Sequence, residues 1–296
     1  MNTLKVGTRG SLLALTQTRW VCAQLKSAHP GLSIEEVIIT THGDAVTDRP
    51  VDASWPVGSF VTALEEALLA GEVDFAVHSY KDLPTESPQG LVIAAVPPRE
   101  VPHDVLVTRE PADLDNLPAG FRVGTSSPRR VAQMHRLGDI QTVPIRGNVP
   151  TRLKKIEQED LDGVVLAAAG LKRLGIEPPY VIDLPPDRFV PAPAQGALAI
   201  QTRTEGEAGG IVAVLEDDAT RRAVVGERSV LAGVNAGCQT PVGAWATVDG
   251  NAIELRGQMF SDEGVHLAES VERGEDPQAV GFAVARRLLV QLQAKA

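Results

Sequence analysis

The sequence predicts an α/β fold in two lobes, followed by a small C-terminal α+β domain. Three observations carry that prediction. Short apolar strand segments alternate with amphipathic helical segments over residues 4–174. Proline clusters at 97–98 and at 185, 186, 191 and 193 mark two crossings of the chain between lobes. From about residue 218 the pattern changes to a long helix, three strands and a final helix. A chain of 296 residues is also long for one core. The expected division is 1–98 with 194–216, then 99–193, then 217–296.

The elements follow in order. Residues 4–6 read as a short strand running into Thr8-Arg9-Gly10-Ser11. A helix to about Lys26 places Ala14, Thr18, Val21 and Leu25 on one face, with Pro30-Gly31 just beyond it. Residues 37–41 read as the next strand. Val61, Leu64 and Leu68 mark an amphipathic helix ending near Gly71. Residues 74–77 are a buried strand that opens into His78-Ser79-Tyr80-Lys81-Asp82-Leu83-Pro84, and 91–96 are a strand stopped by Pro97-Pro98. In the second lobe Arg122-Val123-Gly124 leads into Thr125-Ser126-Ser127-Pro128-Arg129-Arg130 and a helix to about Leu137. Residues 142–145 form a strand running into Arg146-Gly147-Asn148, with a helix from about Pro150. A third strand at 163–168 precedes Gly170-Leu171-Lys172-Arg173, and 197–203 return a strand to the first lobe. The C-terminal strands fall near 241–249, 253–259 and 265–272, with the last helix from about 277.

Composition narrows the function. A net charge of −10 argues against general nucleic-acid binding or attraction to anionic membranes. No apolar run reaches transmembrane length, the start lacks the layout of a signal peptide, and the two cysteines suggest no disulfide framework. A cytoplasmic protein is the expectation. The six histidines are scattered without metal-ligand spacing, so no protein-bound metal is expected. Neither the Walker pattern nor the dinucleotide fingerprint is present.

Arg9, Arg129, Arg130, Arg146, Arg152 and Arg173 share a placement. Four stand at strand-to-helix junctions, and Arg152 and Arg173 are read within first helical turns. Helix N-termini carry unsatisfied N–H groups and positive dipole ends, and arginine forks bind carboxylates or phosphates in pairs of bonds. Ser127-Pro128 is a good cap-and-first-turn pair, and 148–150 a second helix start. Taken singly, each arginine is as readily a surface residue paired with a carboxylate. Together they predict a ligand with several negative charges. Asp82 closes a buried strand before Leu83-Pro84 forces a turn; alone it reads more readily as a turn-forming acid paired with Lys81, and at the mouth of a cleft it suits proton transfer or stabilisation of a cation. His78 reads as a packed, hydrogen-bonded histidine. Cys238, in Asn235-Ala236-Gly237-Cys238-Gln239-Thr240-Pro241, is uncrowded on its N-terminal side; by itself it reads more readily as a small apolar residue buried in a turn, and with positive charge nearby it suits a nucleophile or covalent anchor, whereas Cys22 faces the core side of the first helix.

These segments, in this order and over nearly the full length, resemble the porphobilinogen deaminase family. The resemblance is carried by Thr8 to Ser11, His78 to Pro84, Gly124 to Arg130, Arg146 to Arg152, Ala169 to Gly175 and Gly237 to Pro241. It implies two lobes like those of periplasmic binding proteins, with a C-terminal domain that carries a cofactor on a loop. It implies a transferase that condenses four porphobilinogen molecules head to tail into hydroxymethylbilane, releasing ammonia. Its cofactor is a dipyrromethane joined by a thioether to a cysteine, which Cys238 matches. Asp82 matches the catalytic carboxylate. Lys81, Thr125, Ser127, Arg129, Arg130 and Arg146 match positions that hold the cofactor, and Arg9, Ser11, Arg152 and Arg173 match positions that hold substrate. A monomer is the family expectation.

The sequence also departs from the family. Residues 53–60 lack the lysines common in that loop, His42 stands where arginine is common, and Gln201 and Asn235 stand where glutamate is common. Two rival classes share some of these features: a non-catalytic binder of small anions on the same two-lobed architecture, and a cysteine hydrolase using Cys238. Both leave the ordered motifs unexplained.

Overall fold

The alternation of strands and helices builds two five-stranded sheets of one design. The computed structural model describes residues 3–40, 61–235, 240–261 and 264–295. The first lobe holds β1 (Leu4–Thr8), α1 (Leu12–Ala28), β2 (Ile34–Ile38), α2 (Thr62–Leu69), β3 (Phe75–Ser79) and β4 (Leu91–Ala95). The second holds β5 (Asp104–Thr108), β6 (Phe121–Gly124), α3 (Pro128–His135), β7 (Ile140–Val143), α4 (Val149–Gln158), β8 (Gly163–Ala167), α5 (Ala168–Leu174) and β9 (Val181–Leu184). β10 (Leu198–Arg203) then returns to the first sheet, followed by the short α6 (Ala208–Val212).

The sheet orders are β2-β1-β3-β10-β4 and β7-β6-β8-β5-β9. In each, three neighbouring strands pair in parallel, the fourth in order is antiparallel, and the edge strand beyond it runs in the direction of the first three. The inner parallel strands β3 and β8 are buried along almost their whole length and are short, apolar runs, whereas the edge strands β2 and β7 are largely uncovered. Val21, Leu25, Phe75 and Ile200 fill one side of the first sheet, and Leu64, Leu68 and Val73 the other. In the second lobe Val123, Met134 and Val165 lie on one side, and Ile145, Leu161 and Val164 on the other.

The remainder is α7 (Asp218–Gly233), the antiparallel sheet β11 (Val242–Asp249), β12 (Ala252–Phe260) and β13 (Leu267–Gly274), and α8 (Pro277–Gln293). Its own core gathers Val230, Ala244, Leu255, Val284 and Leu288. The backbone falls into two compact units, Met1–Glu100 with Gly196–Arg221, and Val101–Gln195 with Arg222–Ala296, so the C-terminal sheet packs with the second lobe. Gly243 of β11 shows how closely. A Cβ there would stand 2.4 Å from the Val190 carbonyl oxygen, closer than real carbon–oxygen contacts allow.

Three details differ from the sequence reading. β2 begins at Ile34, three residues before the expected start at 37. β7 ends at Val143, because Pro144 has no N–H to continue the ladder. Finally, β5 and β9 lie in stretches the pattern left unmarked, although β5 is buried along its whole length.

Candidate functional site

In each lobe the three parallel strands point the same way, so their carboxyl ends share one sheet edge. Open α/β sheets bind ligands at that edge. Several of the expected site residues follow those strand ends, in each lobe by itself.

In the first lobe β1 delivers Arg9 and Ser11. The Ser11 hydroxyl accepts a bond from the Ala14 N–H (3.3 Å) and caps α1, while Thr18 and Thr8 join their hydroxyls at 2.8 Å beneath. β3 ends in a single 3-10 turn, Tyr80–Asp82. Tyr80 and Leu83 are buried on either side, and the Tyr80 N–H donates to the Ala197 carbonyl (3.0 Å). That fixes the turn and leaves Asp82 exposed with Lys81 half-buried beside it.

Behind the turn His78 is buried. Its Nε2–H donates to Gln201 Oε1 (3.0 Å), and Gln201 Nε2 donates to Glu65 Oε1 (3.1 Å). Burial pushes His78 down to about 4; the Gln201 bond opposes that and the charge of Arg9 adds to it. Burial pushes the Glu65 carboxyl up, against its Gln201 bond. His78 is a packed histidine, as its sequence context suggested. Gln201 has a physical reason to be an amide here: a glutamate would set a second carboxylate against Glu65.

In the second lobe β6 delivers Thr125 and Ser127. Thr125 is buried and its Oγ1 accepts from the Ser127 N–H (3.3 Å). Ser127 is the N-cap of α3 with Pro128 in the first turn, yet its hydroxyl makes no capping bond. Arg129 and Arg130 occupy the first turn and are buried rather than displayed at the surface. Both reach Asp104, from Arg129 Nη2 to Oδ2 (2.8 Å) and from Arg130 Nη2 to Oδ1 (2.6 Å). Arg129 Nη1 also donates to Gln133 Oε1 and the Val190 carbonyl, and Arg130 Nη1 to the Val165 carbonyl. Burial pulls Arg129 below its usual value, which Asp104 opposes.

β7 leads to a half-buried Arg146. Asn148 caps α4, its Oδ1 accepting from the Thr151 N–H (2.9 Å) and hydroxyl (2.8 Å). Gly147 holds φ of 111°, and a Cβ there would come within 2.6 Å of Thr151, so only glycine fits the approach. Arg152 Nε donates back to the Gly147 carbonyl (2.8 Å), which fixes its stem against the loop.

Arg173 departs from expectation. α5 starts directly at the end of β8, with Ala167 as its N-cap, so Arg173 falls in the last turn rather than the first. Cys238 lies outside the described residues, as do His42 and the 53–60 loop. Cys22 is buried, and burial pushes its thiol up to about 11, which makes it core. Asn235 holds φ of 51°, a left-handed backbone that asparagine tolerates better than glutamate.

A carboxylate-bearing cofactor fits the second-lobe edge. Two buried guanidinium groups share one carboxylate, and Arg130 Nε is buried with no hydrogen-bond partner among the described residues. Sequence reasoning missed Asp104. The signal was an acid at the head of the apolar run Val105-Leu106-Val107, directly after Pro102-His103.

The fold is that of a two-lobed α/β protein, and in each lobe arginines follow the strand ends where such sheets bind ligands. Residues 4–209 match the family described as porphobilinogen deaminase, dipyromethane cofactor binding domain, and residues 222–290 match the porphobilinogen deaminase C-terminal domain. The chain is 46% identical to the porphobilinogen deaminase of Syntrophus aciditrophicus over 292 residues, covering 97% of this chain and 95% of that one. It is 45% identical to that of Roseiflexus sp. over 293 residues, covering 98% and 96%. Against solved structures it is similar to an ancestral cationic amino acid solute-binding protein, with 14% identity, a TM-score of 0.43, and coverage of 72% of this chain and 87% of that one. This chain belongs to the porphobilinogen deaminase family. The family's transferase activity on porphobilinogen in tetrapyrrole biosynthesis, and its dipyrromethane cofactor, come with that membership.

Proposed function

We propose that this chain condenses four porphobilinogen molecules head to tail into hydroxymethylbilane, with Asp82 as its catalytic carboxylate and Cys238 as the thioether anchor of the dipyrromethane. One observation carries the assignment of roles: Arg9, Arg146 and the exposed Asp82 follow the carboxyl ends of parallel strands. Porphobilinogen carries two carboxylates, so each added ring brings negative charge that Arg9, Arg146, Arg152 and Arg173 are suited to neutralise. Ser11, Lys81, Thr125 and Ser127 add donors at the same edges. When bound, the dipyrromethane supplies the primer on which the chain is built.

Asp82 is suited to two tasks. It can pass a proton to the aminomethyl nitrogen that leaves as ammonia, and its negative charge can face the cationic centre left behind. The fixed turn Tyr80–Asp82 holds it with little freedom, which favours a defined geometry. Deep burial of Arg129 and Arg130 supports reading them as cofactor residues, since the cofactor stays while substrate comes and goes.

Further parts of the reading are a monomer in the cytoplasm, without nucleic-acid or membrane partners. No described helix is long and apolar enough to cross a membrane. The three-domain division given above, with residues 217–296 carrying the cofactor cysteine, also belongs to it. The deciding test is the intact mass of the purified protein beside Cys238→Ala. An excess equal to two linked substrate units, absent in the variant, is the expected result. A wild type that stays unmodified after incubation with porphobilinogen would return the anion-binder reading.

A further inference from the structure

Asp104 is the first residue of β5 and is fully buried. Ladder bonds tie that strand on both sides, with Asp104 in register with Ala167 of β8 and Leu184 of β9. Its two oxygens accept from Arg129, Arg130 and Gln195, the last through Nε2 to Oδ1 at 2.9 Å. A carboxylate in the middle of a sheet is costly unless each oxygen is satisfied. Here it is satisfied by the two arginines that the proposed function assigns to the cofactor.

The first lobe supplies an internal control. Its equivalent of β5 is β10, whose first residue Leu198 pairs with Ser79 just as Asp104 pairs with Ala167. Its equivalent of α3 is α1, where Leu13 and Ala14 stand in the places of Arg129 and Arg130. Where the arginine pair is missing, the buried acid is missing too. Acid and arginine pair therefore occur together, in the lobe that the proposed function gives to the cofactor.

Charge and geometry agree. Two guanidinium groups against one carboxylate leave one positive charge in a buried place, and Arg130 Nε has no partner among the described residues. Asp104 occupies one Nη2 of each arginine and so fixes the plane and direction of both forks.

We infer that Asp104 is a positioning residue: it aims Arg129 and Arg130 at a single carboxylate of the dipyrromethane and reduces their joint charge to match it. The inference rests on the proposed function and can fail without it.

The test uses full-length apoprotein of wild type, Asp104→Asn, Asp104→Glu and Gln195→Leu. Each is incubated with porphobilinogen, and cofactor gain is followed over time by intact mass, with thermal unfolding recorded in parallel. Wild type should load fully. Asp104→Asn should load at least about tenfold slower per folded molecule, since misdirected binding groups cost orders of magnitude, and Asp104→Glu should recover part of the rate. Loading of Asp104→Asn at the wild-type rate overturns the inference. Should Asp104→Asn not fold, Gln195→Leu decides. That variant keeps both ion pairs and loses the Gln195 bonds to Asp104 Oδ1 and to the Pro102 carbonyl, so it should fold with reduced stability and load a few-fold slower (about 3-fold); wild-type loading there overturns the inference. Failure of wild type itself to gain mass removes the proposed function. Equal loading by wild type and all variants removes only the role of Asp104.

Discussion

Acid should destabilise the wild-type fold more than a His78→Gln variant, by about 2 kcal/mol between about pH 7.5 and about pH 5. His78 is buried against Gln201, and burial holds it near 4, below its ordinary value of 6.5. The folded protein therefore keeps the ring neutral while the unfolded chain takes up a proton. Stability is intact above the unfolded value, falls as pH drops through 6.5 toward about 4, and levels off below that. The whole gap corresponds to about 3 kcal/mol, of which about two thirds is expressed by pH 5. Urea unfolding of the two proteins at both pH values gives the difference directly, because their other titrating groups are the same. The ring proton of His78 followed by NMR gives a second reading, with no titration between pH 8 and pH 5.5. Parallel losses of stability in the two proteins, or a His78 that titrates near 6.5, would refute the reasoning.

Gln201→Glu places a carboxylate against His78 Nε2 and should raise the His78 value well above about 4, again visible by NMR. Asp82→Asn should fold normally, since the residue is exposed, and lose about a hundredfold or more in turnover; near-normal activity would sink the assignment. Cys22 should resist alkylation in native protein at neutral pH and react on unfolding, because burial both shields the thiol and raises its pKa to about 11. Gly243→Ala should lower stability by about 1–3 kcal/mol, since its Cβ meets backbone that cannot move aside, and calorimetry would show it.

Periodicity and punctuation made most of the fold legible. α1, α2, β3, β10 and all of the C-terminal elements stand within a few residues of where apolar spacing, glycines and prolines put them. Local chemistry also exposed the candidate site in outline, because arginines, caps and the Asp82 turn are local features of strand ends. The chain could not reveal what depends on distant partners. β5 was missed because a short apolar run after a proline-rich crossing has no distinctive period, and its place between β8 and β9 is a long-range pairing. Arg173 was placed at the wrong end of its helix because nothing local says that α5 begins without a turn after β8.

What the sequence determined by itself was the family, the order of elements and the residue types at the strand ends, since each is written in contiguous segments. Only the tertiary structure decided which charges meet. Asp104 is 25 residues from Arg129 and 91 from Gln195, and their contact arises from the sheet order. Likewise Gln201, 123 residues from His78, sets that ring's chemistry through a strand that returns from the other lobe. Burial and charge act across space, and their effect on a side chain is fixed only when the sheet closes around it.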